Sequence, residues 1–246
     1  MKEKEKQNDP LDGKVAYLLI ATIAVQFLFP ISMIDSPIAQ LGYGFFYIGM
    51  FVAGIYLIRS SQLQMRILIA ATVAWIIFFI LFSSNPDRLW LSYVIYAILA
   101  YFLCSLTYEL LKYIFRSKTV NLDVLLASCT VYLLLGGIFA TVFNVIEVTT
   151  WFNLNQHAFI DGANAYENQP MPWQVMVYYS YATLSTLGYG DVLPVTLWAR
   201  SMATFEAVVG VLYTAVIVAR LVGLYAAGEI EEEIRGEEEF RSEMIE

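Results

Sequence analysis

Charge is scarce in this sequence. Of its 246 residues 15% are Asp, Glu, Lys or Arg, 59% are hydrophobic, and the mean hydropathy is +0.62. A soluble domain of this length needs more polar surface, so the deficit excludes a freely soluble protein and places the chain in the membrane class. Histidine is nearly missing. His157 stands alone in a polar stretch, without a second His or Cys close by to form a metal site. Cysteine is limited to Cys104 and Cys129, both within apolar runs, which argues against a disulfide framework and for two buried thiols packing as small hydrophobes. Also missing are a membrane-embedded Ser/His pair, a metal cluster and an Asp pair, so an enzyme is not indicated and no organic cofactor is expected. Nucleic acid is not an expected partner. A cleavable signal peptide is lacking too: the first apolar run is long, residues 1–14 mix acids with bases, and no small-residue cleavage pattern follows.

Long apolar runs are what the sequence does have. A hydrocarbon core about 30 Å thick takes roughly 20 apolar residues per helix. Five runs fit, at 15–33, 41–58, 67–82, 89–108 and 124–148, and an interrupted sixth covers 194–224. With the N-terminus in the cytoplasm and one crossing per run, all the Lys and Arg residues except Arg88 and Arg200 fall on the cytoplasmic side. The positive-inside rule thus predicts a multi-pass protein of the plasma (cell inner) membrane with both termini cytoplasmic. Trp90, Trp151, Trp173 and Trp198 fall near the outer interface, where indoles are favoured. The expected organisation is a cytoplasmic N-terminus (1–14), a four-helix membrane domain (15–118), a second membrane domain (119–228) and an acidic cytoplasmic tail (229–246).

One long outer segment, 149–193, separates the last two runs. Its part 152–169 is polar and holds Asp161 and Glu167 but no Lys or Arg. Pro170, Met171 and Pro172 follow, then the apolar and aromatic stretch 173–184. Twelve residues are too few to cross a bilayer, and that length fits a re-entrant helix walled off from lipid by other protein. Pro172 suits its first turn, where a missing N–H costs nothing. Next comes Thr183-Leu184-Ser185-Thr186-Leu187-Gly188-Tyr189-Gly190-Asp191. Gly188 and Gly190 permit backbone angles that side chains forbid.

This motif, after a short helix and between two long spans, resembles the selectivity filter of potassium channels. The likeness covers roughly residues 123–223. DVLPVTLWAR at 191–200 is similar to the outer mouth and inner-helix start of simple two-helix bacterial channels. YYSY at 178–181 resembles their aromatic cuff, while VYLLLG at 131–136 and ARLVG at 219–223 resemble the outer and inner helices of prokaryotic channels with extra N-terminal helices. The resemblance implies an all-α membrane protein with four N-terminal helices and a helix, pore helix, filter, helix unit, assembled as a homotetramer among membrane lipids. It implies passive K⁺ conduction, with K⁺ held by backbone carbonyls of Thr186, Leu187, Gly188 and Tyr189 and by the Thr186 hydroxyl, and with Gly190 completing the filter. Asp191, Tyr178, Tyr179, Thr183 and Ser185 are the expected filter supports, and the Tyr189 ring should turn from the axis toward the aromatic helix behind it. One departure is Ala182, where many simple channels carry a carboxylate that meets the Asp after the filter. A Tyr178 hydroxyl reaching Asp191 is the substitute brace expected here.

Two residues of the last helix stand out. Gly210 sits where the family has a hinge glycine; a mid-helix glycine costs about 1 kcal/mol relative to Ala, and either bending or close packing against the pore helix accounts for it. Glu206, four residues earlier, is an intramembrane carboxylate that should be protonated or hydrogen-bonded, with Ser180 as the expected partner and either a structural bond or a pH-sensitive gate as its role. Regularly spaced Arg or Lys, the mark of a voltage sensor, is missing from 89–108, so the first four helices read as sensor-like without sensor charges. The tail holds nine acids against Arg235 and Arg241; it is too short for a soluble regulatory domain and lacks the ligand spacing of a calcium loop. The alternatives are a non-selective cation channel of the same fold, disfavoured by the intact glycines and tyrosine, and, remotely, a subunit of a potassium transporter, which needs four pore loops in one chain.

Overall fold

The computed structural model describes residues 13–34, 37–57, 62–84, 88–162, 166 and 168–244. Most of the expected N-terminal segment 1–14, together with Arg59 and Glu167, lies outside the described residues. Helix α1 (Lys14–Phe27) stops one residue short of a 3-10 turn (Phe29–Met33), because Pro30 has no amide proton to continue an α-helical ladder. Helices α2 (Pro37–Leu57), α3 (Gln62–Ser84), α4 (Leu89–Arg116) and α5 (Leu122–Leu154) follow. The short helix α6 (Trp173–Leu184) and the long α7 (Leu197–Glu243) complete the set, with strands β1 (Phe159–Asp161) and β2 (Val192–Pro194) between them.

Among the described residues five stretches are long and apolar enough to cross a membrane, in α1 with its 3-10 turn, α3, α4, α5 and α7. Helix α2 has 21 residues, about 31 Å at 1.5 Å per residue, and its Gly42–Leu57 portion is apolar. The architecture is an all-α membrane protein, as the sequence predicts. Helix α1 ends six residues before the predicted run 15–33 does, but α3, α4, α5 and α7 extend past the predicted spans, since hydropathy marks only the part in contact with hydrocarbon. Helix α4 continues eight residues past 108, to Arg116. Helix α5 starts earlier because the Asn121 side chain accepts from Val124 N at 2.9 Å, and it ends where Asn155 turns left-handed at φ 51°. Helix α7 passes residue 229 without a break. The segment 152–169, polar in sequence, contains β1, which pairs antiparallel with β2 in the register Phe159↔Pro194, Ile160↔Leu193 and Asp161↔Val192.

Helix α4 lies along α5, to which residues 117–121 join it, and α1 packs against both α2 and α5. The four N-terminal helices therefore rest on α5 of their own chain, through a core that includes Leu18, Phe51, Phe102, Leu106 and Leu134. Lipid is as apolar as these side chains, so the contacts are held by close packing and by hydrogen bonds worth about 0.6 kcal/mol on average. Tyrosines supply several of them, each reaching a backbone carbonyl of another helix: Tyr43 to Val25 O, Tyr181 to Leu133 O at 2.7 Å and Tyr213 to Ser128 O at 2.7 Å. Gly136 makes room for α6, because a Cβ there would lie 2.4 Å from the Tyr181 ring. The two cysteines are free and exposed on the surface of the chain, not buried as predicted; each sits on the outward stripe of its helix.

Candidate ion pathway

Helix α6 has 12 residues, about 18 Å, against a core of about 30 Å. It spans the predicted residues, except that Pro172 is its N-cap (φ −67°, ψ 150°) and not part of its first turn. Between α5 and α7 it stops at Leu184, and the chain returns through 185–191. Three alternate residues of this return are left-handed: Thr186 at φ 58°, Gly188 at 55° and Gly190 at 78°. Leu187 and Tyr189 between them are not. Such alternation turns successive peptide planes the same way, so that their carbonyls share one side. The amides confirm which side is left. Thr186 N donates to Thr183 O at 3.0 Å, while Leu187 N and Gly188 N both donate to Ala182 O, at 2.9 and 3.1 Å. With these amides spent on the helix end, the carbonyls of 185–187, each anti to the next residue's N–H across a trans peptide, face away from it. A left-handed non-glycine costs roughly 1–2 kcal/mol, so Thr186 holds this angle only because its neighbours fix it.

Beyond Gly190 the chain is pinned again. Tyr178 Oη donates to Asp191 Oδ2 at 2.7 Å, the brace expected in place of a pore-helix carboxylate. Asp191 Oδ1 accepts from Val192 N at 3.0 Å, and Asp191 O accepts from Gly162 N at 2.8 Å. The Tyr178 hydrogen bond, ahead of the backbone donors, holds the Asp191 carboxyl below the usual carboxylate range. Thr183 supports the loop through its carbonyl, and Ser185 Oγ donates to Tyr181 O at 2.6 Å at the close of α6. Tyr179 packs its ring edge-on to Phe143 and Phe159 at 5.1 Å each, and its hydroxyl meets the side chain of Thr183. Neighbouring residues of a helix are about 100° apart, so Tyr178 and Tyr179 leave α6 in different directions. The predicted brace by Tyr189 is not made within the chain, where that residue is 69% exposed and Leu187 is 55% exposed. Of the tryptophans, Trp90 and Trp198 are exposed in the manner of interface anchors, but Trp173 stacks on Tyr43 with centroids 5.6 Å apart.

Behind α6 the expected Glu206–Ser180 pair is present. Both residues are fully buried, and Ser180 Oγ contacts Glu206 Oε1 as well as Gly136 O, the latter at 2.7 Å. Gly210 touches the loop directly: a Cβ there would lie 2.3 Å from Leu184 O. Close packing thus accounts for this glycine, and α7 runs through it as helix. Below the loop, Ser185, Thr186 and the α7 residues Gly210, Val211, Thr214 and Val218 border a hollow of about 750 Å³.

Two anchoring residues escape the sequence reading. Glu147, fully buried near the end of α5, accepts from Ala158 N at 2.8 Å, Met171 N at 3.2 Å and Phe159 N at 3.3 Å, and its Oε1 lies 2.7 Å from His157 Nδ1. His157, which looks solitary in the sequence, is therefore half of a buried contact. The signal available was a carboxylate inside a predicted span, the same one that drew attention to Glu206. The other is Arg220, whose guanidinium donates to Ile114 O, Phe115 O and Ser117 O at 2.8–3.2 Å, closing the end of α4. In the sequence it reads as a cytoplasmic-side charge and as part of the ARLVG motif, and its partners lie more than a hundred residues away.

Residues 122–226 match the family model described as Ion channel, a span running from the start of α5 into the second half of α7. No curated protein and no solved structure matches the chain. Over these residues the chain is similar to the ion channel family, with α1–α4 outside the match.

Proposed function

We propose that this ion channel domain conducts potassium selectively, as one of four identical subunits around a central axis. The observation that carries the reading is the alternating backbone of Thr186, Gly188 and Gly190, with its amides tied to Ala182 and Thr183. A conducted K⁺ ion must exchange its water for a cage of oxygens. One loop supplies one side of that cage, through the carbonyls of Thr186, Leu187, Gly188 and Tyr189 and the Thr186 hydroxyl. Four copies close it. The exposure of Tyr189 and Leu187 on a single chain supports assembly, since a non-helical loop at membrane depth needs other protein to wall it off from lipid. The charge distribution favours cytoplasmic termini and a filter facing outward.

The test is the reversal potential of purified protein in planar bilayers under opposed K⁺ and Na⁺ gradients. It should follow K⁺, and outer Ba²⁺ should block the current. A reversal potential near zero would replace this reading with the non-selective one. Gly188→Ala should abolish K⁺ current while tetramers persist, because the new methyl group disfavours the left-handed angle; selective current surviving in that variant would move the filter elsewhere.

A further inference from the structure

A cavity of about 240 Å³ lies between α1–α4 on one side and α5 and α6 on the other. Its walls are largely aromatic and include Tyr43, Tyr47, Trp75, Phe79, Tyr96 and Trp173. Several of these rings are stacked in place: Trp75 lies against Phe79 and Tyr47 with centroids 5.1 and 5.2 Å apart. No Asp, Glu, Lys, Arg or His lines the cavity among the described residues. Of the residues that line it, Trp75 Nε1 and Gln174 Oε1 have no hydrogen-bond partner, and Asn144 Nδ2 has none beyond an approach to the Tyr96 hydroxyl. Their residues are 6%, 9% and 2% exposed, so bulk solvent does not serve them. An unpaired buried polar atom costs about 1–3 kcal/mol, and such atoms around one hollow point to something that pairs with them.

Two of the three are N–H donors and the third is an acceptor. A single hydroxyl answers both kinds, accepting with its lone pairs and donating its proton. Water also has this chemistry, but about eight waters at ~30 Å³ apiece would be needed to fill the volume, and each needs two to four polar partners. Polar wall groups are in good part already committed within the chain, Tyr43 to Val25 O, Ser32 to Phe29 O and Thr141 to Gly137 O, which leaves too few for so many waters. The space exceeds the roughly 150 Å³ cavity that takes up benzene, and it falls below the 300–1,000 Å³ of drug-sized sites. From this we infer that the cavity is a binding site for an uncharged amphiphile of roughly a dozen non-hydrogen atoms, an alcohol or phenol with a compact apolar body. The occupant rests on Trp173 and Gln174, the first residues of α6. Gln174 Nε2 also donates to Ser32 Oγ at 2.9 Å, so the bound molecule bridges the four-helix unit and the short helix that carries the 185–191 loop.

The probe is a diazirine-bearing alkylphenol, photolysed with the full-length protein in lipid nanodiscs, with adducts mapped by mass spectrometry. Adducts should concentrate on cavity residues and be displaced by 2,6-diisopropylphenol. The isosteric hydrocarbon 1,3-diisopropylbenzene, which lacks the hydroxyl, should compete about tenfold more weakly. Gly44 lines the cavity, and a Cβ there would meet nothing within 4 Å, so Gly44→Leu should fill the space and remove the labelling. Asn144→Leu, which removes one donor, should weaken the phenol about tenfold and leave the hydrocarbon unchanged; it also carries the comparison if the first variant does not assemble. Adducts scattered over lipid-facing residues, equal competition by phenol and hydrocarbon, or labelling undiminished in both variants would overturn the site, leaving a cavity that holds water only. None of these readouts measures current, so failure of K⁺ selectivity and failure of this site are separate results.

Discussion

A hydroxyl carries one proton, and at Ser180 two acceptors compete for it. With that proton on Gly136 O, the contact with Glu206 Oε1 needs a proton from the carboxyl. Glu147 is the opposite case, since three backbone N–H groups and a His nitrogen face its oxygens and it acts as acceptor alone. Amide replacement should therefore separate the two buried carboxylates. Glu206→Gln supplies an N–H toward Ser180 and should assemble and conduct nearly as the parent does, while Glu206→Ala should lower tetramer stability by about 1–3 kcal/mol. Glu147→Gln turns an N–H group toward other donors and should lose about 3–5 kcal/mol, as when one partner of a buried charged network is removed. Thermal dissociation of tetramers followed by gel filtration measures both; a Gln variant tolerated at 147 and not at 206 would reverse the assignments. Asp191 adds a pH dependence. Its carboxyl titrates below the ordinary range, so the Tyr178 brace is present above that range and is lost only as pH falls through the depressed value. Outer acidification from neutrality to about pH 5 should leave the current unchanged, and in Tyr178→Phe the onset of acid sensitivity should move up toward the ordinary Asp value of about 3.9. These pairings differ in how readable they were. Tyr178–Asp191 and Ser180–Glu206 were legible because helical spacing and the motif alignment bring them face to face. The partners of Glu147 are delivered by the β1–β2 pairing, whose strands are three residues long and leave almost no pattern in the sequence.

At the scale of elements, the short helix and the inner helix meet where a side chain would not fit. The first methyl group placed at 210 would stand 2.3 Å from Leu184 O, one residue ahead of the 185–191 loop. Gly210→Ala stabilises an isolated helix by about 1 kcal/mol, yet here it must push α6 and α7 apart. The expected result is reduced K⁺ over Na⁺ selectivity, read from reversal potentials, with α7 helicity unchanged by circular dichroism. Intact selectivity with altered opening alone would favour bending over packing. The sequence offered both explanations evenly, since a glycine signals an absence of bulk without saying what occupies the space. Element ends were less legible than element cores for a related reason. Beyond its apolar run α4 carries Glu109, Lys112 and Arg116, and the end of α7 is acidic; their helical state there rests on capping and on contacts that hydropathy does not register.

At the scale of the whole molecule, the apolar run of α4 lacks the spaced charges of an electrical lever. Between Leu89 and Tyr108 there is no Arg or Lys, and the charges that follow, Glu109 and Lys112, lie 3.7 Å apart as a pair. Moving one charge across the membrane yields about 2.3 kcal/mol per 100 mV, and helix α4 has none within its apolar run to move. Open probability should vary weakly with voltage in single-channel records; steep activation with measurable gating charge would place the sensor in another element. The sequence revealed this lack but not how the four helices attach, because attachment depends on partners distant along the chain. Arg220 makes the point. A helix ends with carbonyls that have no partner of their own, and those at the end of α4 are closed by a side chain from α7 more than a hundred residues onward. Fraying of α4 and departure of α7 are thus one event, and in amide hydrogen exchange the last turn of α4 should open with the same free energy as the α7 segment around Arg220. In Arg220→Leu the two should exchange independently, the end of α4 becoming the faster.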